Sequence, residues 1–251
     1  MNASVVLSSA ASKRLIAKGV AAHPIVKHAL GNGRIVITRG TTNAFVAEEL
    51  CGKKIDRGAY AAGFIDQRWN INARLGEMEE IVLLRGKPTD ESPDKTLAAL
   101  AAGDVVIKGG NALDPWGIVG VLLGSATAGT VGRYTAGAIA RGVDLLIPIS
   151  VSKSIHTSVI DLSQEMGIGK VSLHDGLACG MFPLHGQVVT EVDALHLLCQ
   201  VDAVHATSNG VGAGRGSVSL FIYGEDSAVR KAYDLVASLK DEVDVELSGR
   251  A

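Results

Sequence analysis

The chain has 251 residues, 47% of them hydrophobic, with 24 basic and 26 acidic side chains and a formal net charge of −2. A near-neutral balance lacks the positive footprint of a nucleic-acid binder, and no run reaches the roughly 20 uninterrupted apolar residues of a membrane span. Expected partners are therefore a small anionic metabolite and further copies of the chain, with no nucleic acid and no membrane. The three cysteines, Cys51, Cys179 and Cys199, are far apart and form no CxxC pair, which reads as reduced thiols with no metal site. No cofactor is implied, and Val5-Val6-Leu7 ahead of Lys13 and Arg14 reverses the order of a secretory signal, so a cytoplasmic protein is expected.

Aromatics are only 4% while glycine numbers 30, so the core must be built from Ala, Val, Leu and Ile packed close to backbone, as in parallel sheets. Residues from Ala11 to Leu30 carry apolar positions at helical spacing, with Pro24 as a break, and Gly31-Asn32-Gly33 ends the run. Arg34 to Thr38 reads as a buried strand, followed by Arg39-Gly40-Thr41-Thr42-Asn43 and a helix from Thr42 to Leu50. Strands are expected at Ala61 to Ile65 and Glu80 to Arg85, a helix at Pro93 to Ala102, and a strand from Asp104 to Ile107. A glycine-rich connection, a helix around Thr135 to Arg141 and a strand ending near Ile149 complete a βα alternation.

Beyond His174-Asp175-Gly176 the rhythm changes. Strands at Gln187–Thr190, Ala203–Thr207, Ser217–Tyr223 and Val243–Leu247 alternate with helices at Glu191–Gln200 and Ser227–Leu239, which is the βαββαβ order of ferredoxin-like domains. The expected organisation is an α/β fold: an open, mostly parallel Rossmann-like sheet over residues 1–178, then a small ferredoxin-like α+β domain over residues 179–251.

Ligands of parallel α/β sheets sit at the carboxyl ends of the strands, and three glycine-bearing segments are expected there. Gly40, Thr41, Thr42 and Asn43 open a helix whose unpaired N–H groups suit a phosphate or carboxylate, although Thr41 or Thr42 would also serve as an ordinary cap. After the Asp104 strand, Gly109 and Gly110 allow close approach to a ligand, Asn111 and Asp114 can hydrogen-bond it, and Lys108 offers a cation. Asp114-Pro115-Trp116-Gly117 is equally good turn chemistry. Gly129 and Thr130 lie in a segment with few bulky side chains, where Arg133 suits a bidentate anion contact. Lys153, beyond Ile149, would complete an anion clamp, or is a solvated surface lysine. Gly210 to Gly216 reads as a hairpin or lid carrying Arg215, and His156, His174 and His185 lack metal-ligand spacing.

Gly33-Arg-Ile-Val-Ile-Thr-Arg-Gly-Thr-Thr-Asn43 resembles the opening strand, glycine-threonine loop and helix of ribose-5-phosphate isomerase A. Asp104-Val-Val-Ile-Lys-Gly-Gly-Asn-Ala-Leu-Asp114 is similar to that family's acidic D-x-x-I-D-G-A-D-E-x-D segment, and Ile147-Pro-Ile-Ser-Val-Ser-Lys153 to its strand ending in Asp-x-Ser-Lys. The same positions resemble the wider superfamily that includes glucosamine-phosphate deaminases and coenzyme A transferases. The resemblance implies a sugar-phosphate isomerase-like site with Asp114 as base and Lys108 or Lys153 as electrostatic stabiliser. Acyl or coenzyme A transfer, which needs a nucleophilic glutamate such as Glu165 or Glu191, is the alternative, as is a metabolite sensor or scaffold without catalysis. The chain departs from the isomerase pattern where Lys108 and Asn111 stand in place of carboxylates.

Overall fold

A computed structural model describes residues 1–65 and 78–246. The chain opens with strand β1 (Asn2–Leu7), and Ser8 caps helix α1 (Ser9–Ala22) by accepting from the Ala11 N–H at 3.2 Å. Pro24, which lacks an N–H and is suited to the first helical position, starts a separate helix α2 (Pro24–Asn32) rather than bending one long helix. Strand β2 (Arg34–Ile37), helix α3 (Thr41–Cys51) and the single turn α4 (Arg57–Tyr60) follow. Next come β3 (Ile81–Leu84), β4 (Lys87–Thr89), α5 (Pro93–Ala99) and β5 (Val105–Ile107). The glycine-rich stretch holds the short strands β6 (Ala112–Leu113) and β7 (Val119–Leu123), then α6 (Gly129–Ala140) and β8 (Asp144–Pro148). The rest comprises α7 (Val159–Glu165), β9 (Gly180–Leu184), β10 (Gln187–Val189), α8 (Glu191–Cys199), β11 (Asp202–Ser208), β12 (Val218–Tyr223) and α9 (Asp226–Ser238).

Six strands form a mixed sheet in the order β10-β8-β5-β2-β3-β4, in which β10, β8, β5 and β2 are parallel and β3 and β4 antiparallel. Alternation along the strands sends side chains to two cores. Ile35, Ile37, Val105, Ile107 and Leu146 pack with Ile16, Val20, Ala29 and Phe45 of α1, α2 and α3. Val36, Val106, Leu145 and Ile147 pack on the other face with Val131, Tyr134 and Ala138 of α6. A third core lies between α1, α8, α9 and a small antiparallel sheet ordered β1-β12-β11. Helix α1 serves two of these cores, with Ile16 and Val20 facing one and Leu15 and Ala11 the other. It meets α8 so closely that a Cβ at Gly19 would fall 2.5 Å from that of Ala194.

Several expected elements differ. Ala61 to Ile65 forms no strand of the large sheet; the turn α4 precedes it, and the segment runs along a cleft instead. The strand at Gln187 forms, but β10 pairs with β8 in the large sheet, and the free edge of β12 is taken by β1. Residues 243–246, the described part of the expected closing strand, carry no strand. The βαββαβ order is therefore not realised within one sheet. All three sheets, including the antiparallel β6-β7-β9, draw on chain from both sides of residue 178. Among the described residues, no helix is long and apolar enough to cross a membrane.

A buried ionic cluster fixes α3 against α1, α4 and the C-terminal segment. Glu48, 6% exposed, accepts from Arg14 Nη2 and from Arg57 Nη2 at 2.8 Å and Nε at 3.1 Å, while Arg14 and Arg57 also bind Glu242. Both guanidiniums stack on Phe45, at 5.0 and 3.9 Å from its centroid. Burial pushes the Glu48 carboxyl up, but hydrogen bonds from Arg57 and Arg14 outweigh it and hold the pKa at about 2. Because the folded value is depressed from 4.5, the linked stability is present above pH 4.5 and lost as pH falls towards 2; it is on the order of 3 kcal/mol. Glu48→Gln should lower unfolding free energy by about 3 kcal/mol at pH 7, since it leaves two buried guanidiniums short of charge. It should also flatten the acid limb of a pH–stability curve; an unchanged limb would show that the cluster is not what acid breaks.

Candidate functional site

Strands β2, β5 and β8 end side by side, and the segments leaving them line one cleft of about 360 Å³. Gly40, Thr41, Thr42 and Asn43 follow β2, Lys108, Gly109, Gly110 and Asn111 follow β5, and Lys153 follows β8. An adjoining cleft of about 230 Å³ is lined by Gly129 and Thr130 together with the more apolar Val121, Leu122, Leu123 and Leu177. Arg39, Ala62, Gly63, Lys108 and Asn111 line both clefts.

The N-termini of α3 and α6, unlike that of α1, carry no side-chain cap. Gly40 has φ 157° and ψ 158°, a conformation that glycine tolerates, and it delivers the chain straight into α3. Among the described residues the N–H groups of Thr41, Thr42 and Asn43 have no acceptor; the loop's bonds run from Gly40 to the Tyr60 carbonyl and from Ala44 to the Gly40 carbonyl. At α6 the chain turns through two consecutive left-handed residues, Ala128 and Gly129, so the helix begins six residues before the expected Thr135. The N–H groups of Gly129, Thr130 and Val131 are likewise without acceptors among the described residues.

Asn43 supplies a different signal. Its side chain is fully buried, and Nδ2 donates to the Thr38 carbonyl at 2.8 Å and the Ile107 carbonyl at 3.2 Å. Two carbonyl acceptors require the amide nitrogen to face them, so the oxygen points the other way, with no hydrogen-bond partner. It lies 3.8 Å from where a Cβ on Gly109 would stand, at the cleft. An unpaired buried acceptor costs about 1–3 kcal/mol and calls for a donor from a ligand or water.

Lys108 and Lys153 are half-buried, and among the described residues no carboxylate stands within ion-pair distance of either ammonium. Their Nζ atoms donate to backbone carbonyls, Lys108 to Gly109 at 3.0 Å and Lys153 to Gly110 at 2.6 Å. Burial, and then the charge of Lys153, lowers Lys108 to about 8. Burial, and then the charge of Lys13, lowers Lys153 to about 8, against an opposing pull from Glu191. Glu191 is fully buried and holds the turn that aims Lys153, accepting from Ser150 Oγ at 2.5 Å and the Val151 N–H at 2.9 Å.

Asp114, expected as a base, lines neither cleft. Its Oδ1 accepts from the Trp116 and Ile118 N–H groups at 2.9 and 2.8 Å and its Oδ2 from the Val159 N–H at 3.1 Å, so it closes the β6–β7 turn and ties it to α7. Arg133 turns away as well, reaching Glu80 at 3.4 Å. His156, His174, His185, Arg215, Glu165 and Glu191 also lie outside both linings. Gly110 is in the lining but is glycine for packing: a Cβ there would meet Val119 Cγ1 at 2.1 Å. Asn111 Oδ1 accepts from the Leu122 N–H at 3.0 Å, fixing the side chain that the two clefts share.

Residues not singled out in the sequence complete the rim. Lys13 of α1 donates to Ser9 Oγ at 2.8 Å and pairs with Asp244 at 2.6 Å, and Asp244 and Val245 close one side of the larger cleft. Asp244 is the one carboxylate among the described lining residues. No local pattern marks this pair, because its members are 231 positions apart. Comparison with known proteins finds no family model, no curated protein and no solved structure that matches the chain.

The two neighbouring glycines separate packing from access. Gly110→Ala should lose about 1–3 kcal/mol in denaturant unfolding through overpacking against Val119, whereas Gly109→Ala, whose Cβ meets only ordinary contacts, should stay near the parent. Equal losses would contradict this assignment. Asp114→Ala should lower stability by about 1–3 kcal/mol in the same measurement through its orphaned N–H groups.

Proposed function

We propose that the protein binds a small anionic metabolite, a sugar phosphate by preference, at the carboxyl ends of β2, β5 and β8. The observation that carries this reading is that, among the described residues, N–H groups without acceptors at the start of α3 meet two ammonium groups without carboxylate partners. Helix N-termini and half-buried cations both favour negative charge. Asn43 Oδ1 adds a requirement for a donor, which a phosphate dianion lacks and a sugar hydroxyl supplies.

The chemistry of the lining favours amines over carboxylates. Asp244 is already paired with Lys13, so isomerisation by a carboxylate base, or transfer through a glutamyl intermediate, finds no free carboxylate among the described lining residues. Lys108 and Lys153 then serve as the charged groups that hold the anion, and Thr41 and Thr42 provide hydroxyls beside the helix N-terminus.

Inorganic phosphate and ribose 5-phosphate should raise the melting temperature at pH 7, the ester more strongly, with stabilisation of about 2.7 kcal/mol at a ligand concentration 100 times Kd. No shift with any phosphorylated or carboxylated metabolite at millimolar levels would contradict the reading. A lysine is cationic below its pKa, so the affinity should fall as pH rises through about 8 rather than near the ordinary 10.5. Lys108→Met should melt higher than the parent without ligand, because it removes a desolvated charge, and should gain less from phosphate. A lower ligand-free melting temperature would show instead that the ammonium stabilises the empty fold.

A further inference from the structure

We propose that Lys108 is an amine nucleophile that condenses with the carbonyl carbon of a phosphorylated aldehyde or ketone held in this cleft, forming an imine and releasing water. This rests on the anion-binding reading above and adds a reaction to it, carried by the fraction of Lys108 that has given up its proton.

Placement is the first argument. Lys108 follows the central strand β5 and lines both clefts, so a ligand with its phosphate at the α3 N-terminus and its remainder towards Leu122 and Leu177 passes this residue. Among the described residues its Nζ makes one hydrogen bond, at 3.0 Å to the carbonyl of the adjacent Gly109, and no carboxylate holds it as an ammonium. A Cβ at Gly109 would meet only ordinary contacts, the Pro148 carbonyl at 3.6 Å and Asn43 Oδ1 at 3.8 Å, so the residue beside Lys108 adds no bulk to the cleft.

The two lysines divide the work. Both cannot easily stay charged in one half-buried cleft, and such a pair loses protons as a coupled unit. Lys153 keeps a tighter 2.6 Å bond to the Gly110 carbonyl; burial and Lys13, itself paired with Asp244, disfavour its charged form more than the Glu191 carboxylate favours it. Burial and the Lys153 charge both favour the neutral amine at Lys108; each lysine is lowered to about 8, and of the two it is Lys108 that lines both clefts. A lysine desolvated beside another cation is the usual means of obtaining a nucleophilic amine near neutral pH.

The step balances without an outside reagent. The Lys108 lone pair forms a C–N bond to the carbonyl carbon while the C=O π electrons move to oxygen, which takes a proton from the Lys153 ammonium. Loss of that hydroxyl as water, with a second proton, completes the C=N bond. The two hydrogens in the water are balanced by the two that leave the Lys108 nitrogen, one of which restores Lys153. Nothing is oxidised or reduced.

The test incubates the whole protein with glyceraldehyde 3-phosphate and cyanoborohydride, which reduces any imine to a stable secondary amine, and locates the adduct by peptide mass spectrometry. Expected is one dominant adduct, on Lys108, forming with a midpoint near pH 8, slowed about tenfold or more by inorganic phosphate and absent from that position in Lys108→Arg, which keeps the charge. Labelling of Lys153 instead, or labelling spread evenly over surface lysines, would overturn the assignment. If no adduct forms while phosphate still raises the melting temperature, the imine proposal falls and the anion site stands. If glyceraldehyde without phosphate labels Lys108 equally well and phosphate neither protects nor stabilises, the nucleophile stands and the anion reading falls.

Discussion

The carbonyl oxygen of Ile107 is the junction on which the site depends. It accepts from the Thr38 N–H and Thr38 Oγ1, both at 3.0 Å, and from Asn43 Nδ2 at 3.2 Å, joining the end of β5 to the end of β2 and to the first turn of α3. These bonds are buried, where geometry counts for most and an unmade bond is most unfavourable. They set the height of the α3 N-terminus relative to Lys108, the next residue of β5's chain. They also orient the Asn43 amide so that its acceptor oxygen is the atom left over.

A site built on strand ends inherits the rigidity of the sheet. Val36, Val106 and Leu145 lie in register across β2, β5 and β8, so the segments that follow them leave at one level. Lysines 108 and 153 are then brought into one cleft by parallel pairing, 45 residues apart in the chain, without any local signal between them. The folded protein keeps two poorly solvated cations and a polar atom without a partner, features that stability alone does not favour. The Arg14–Glu48–Arg57–Glu242 cluster, by contrast, is a paired arrangement of buried charges.

Much of this was legible in the amino-acid order, and the reasons for the remainder are physical. Ile35-Val36-Ile37 and Val105-Val106-Ile107 are β-branched runs bounded by glycine or charge, and Gly40 ahead of two threonines marks a helix start. Strand direction was not legible: Ile81 to Leu84 reads the same whether parallel or antiparallel, and only pairing with β2 decides it. Val243-Asp-Val-Glu alternates like a strand, but Arg57 takes the Val243 carbonyl and Lys13 takes Asp244, and the segment becomes a cleft wall. Asp114 had two readings, base or turn residue, that no local pattern separates. Three backbone N–H groups, one of them 45 residues away, chose the turn.

The central claim, that unpaired amides at the start of α3 and the two lysines receive one anion, is tested most directly by amide chemical shifts in a nitrogen-15 spectrum during titration with ribose 5-phosphate. The account predicts the largest displacements at Thr41, Thr42, Asn43 and Gly109, saturating together at a single Kd. Saturable displacements confined to another surface, or none at the α3 N-terminus under conditions where the sugar phosphate binds, would contradict it.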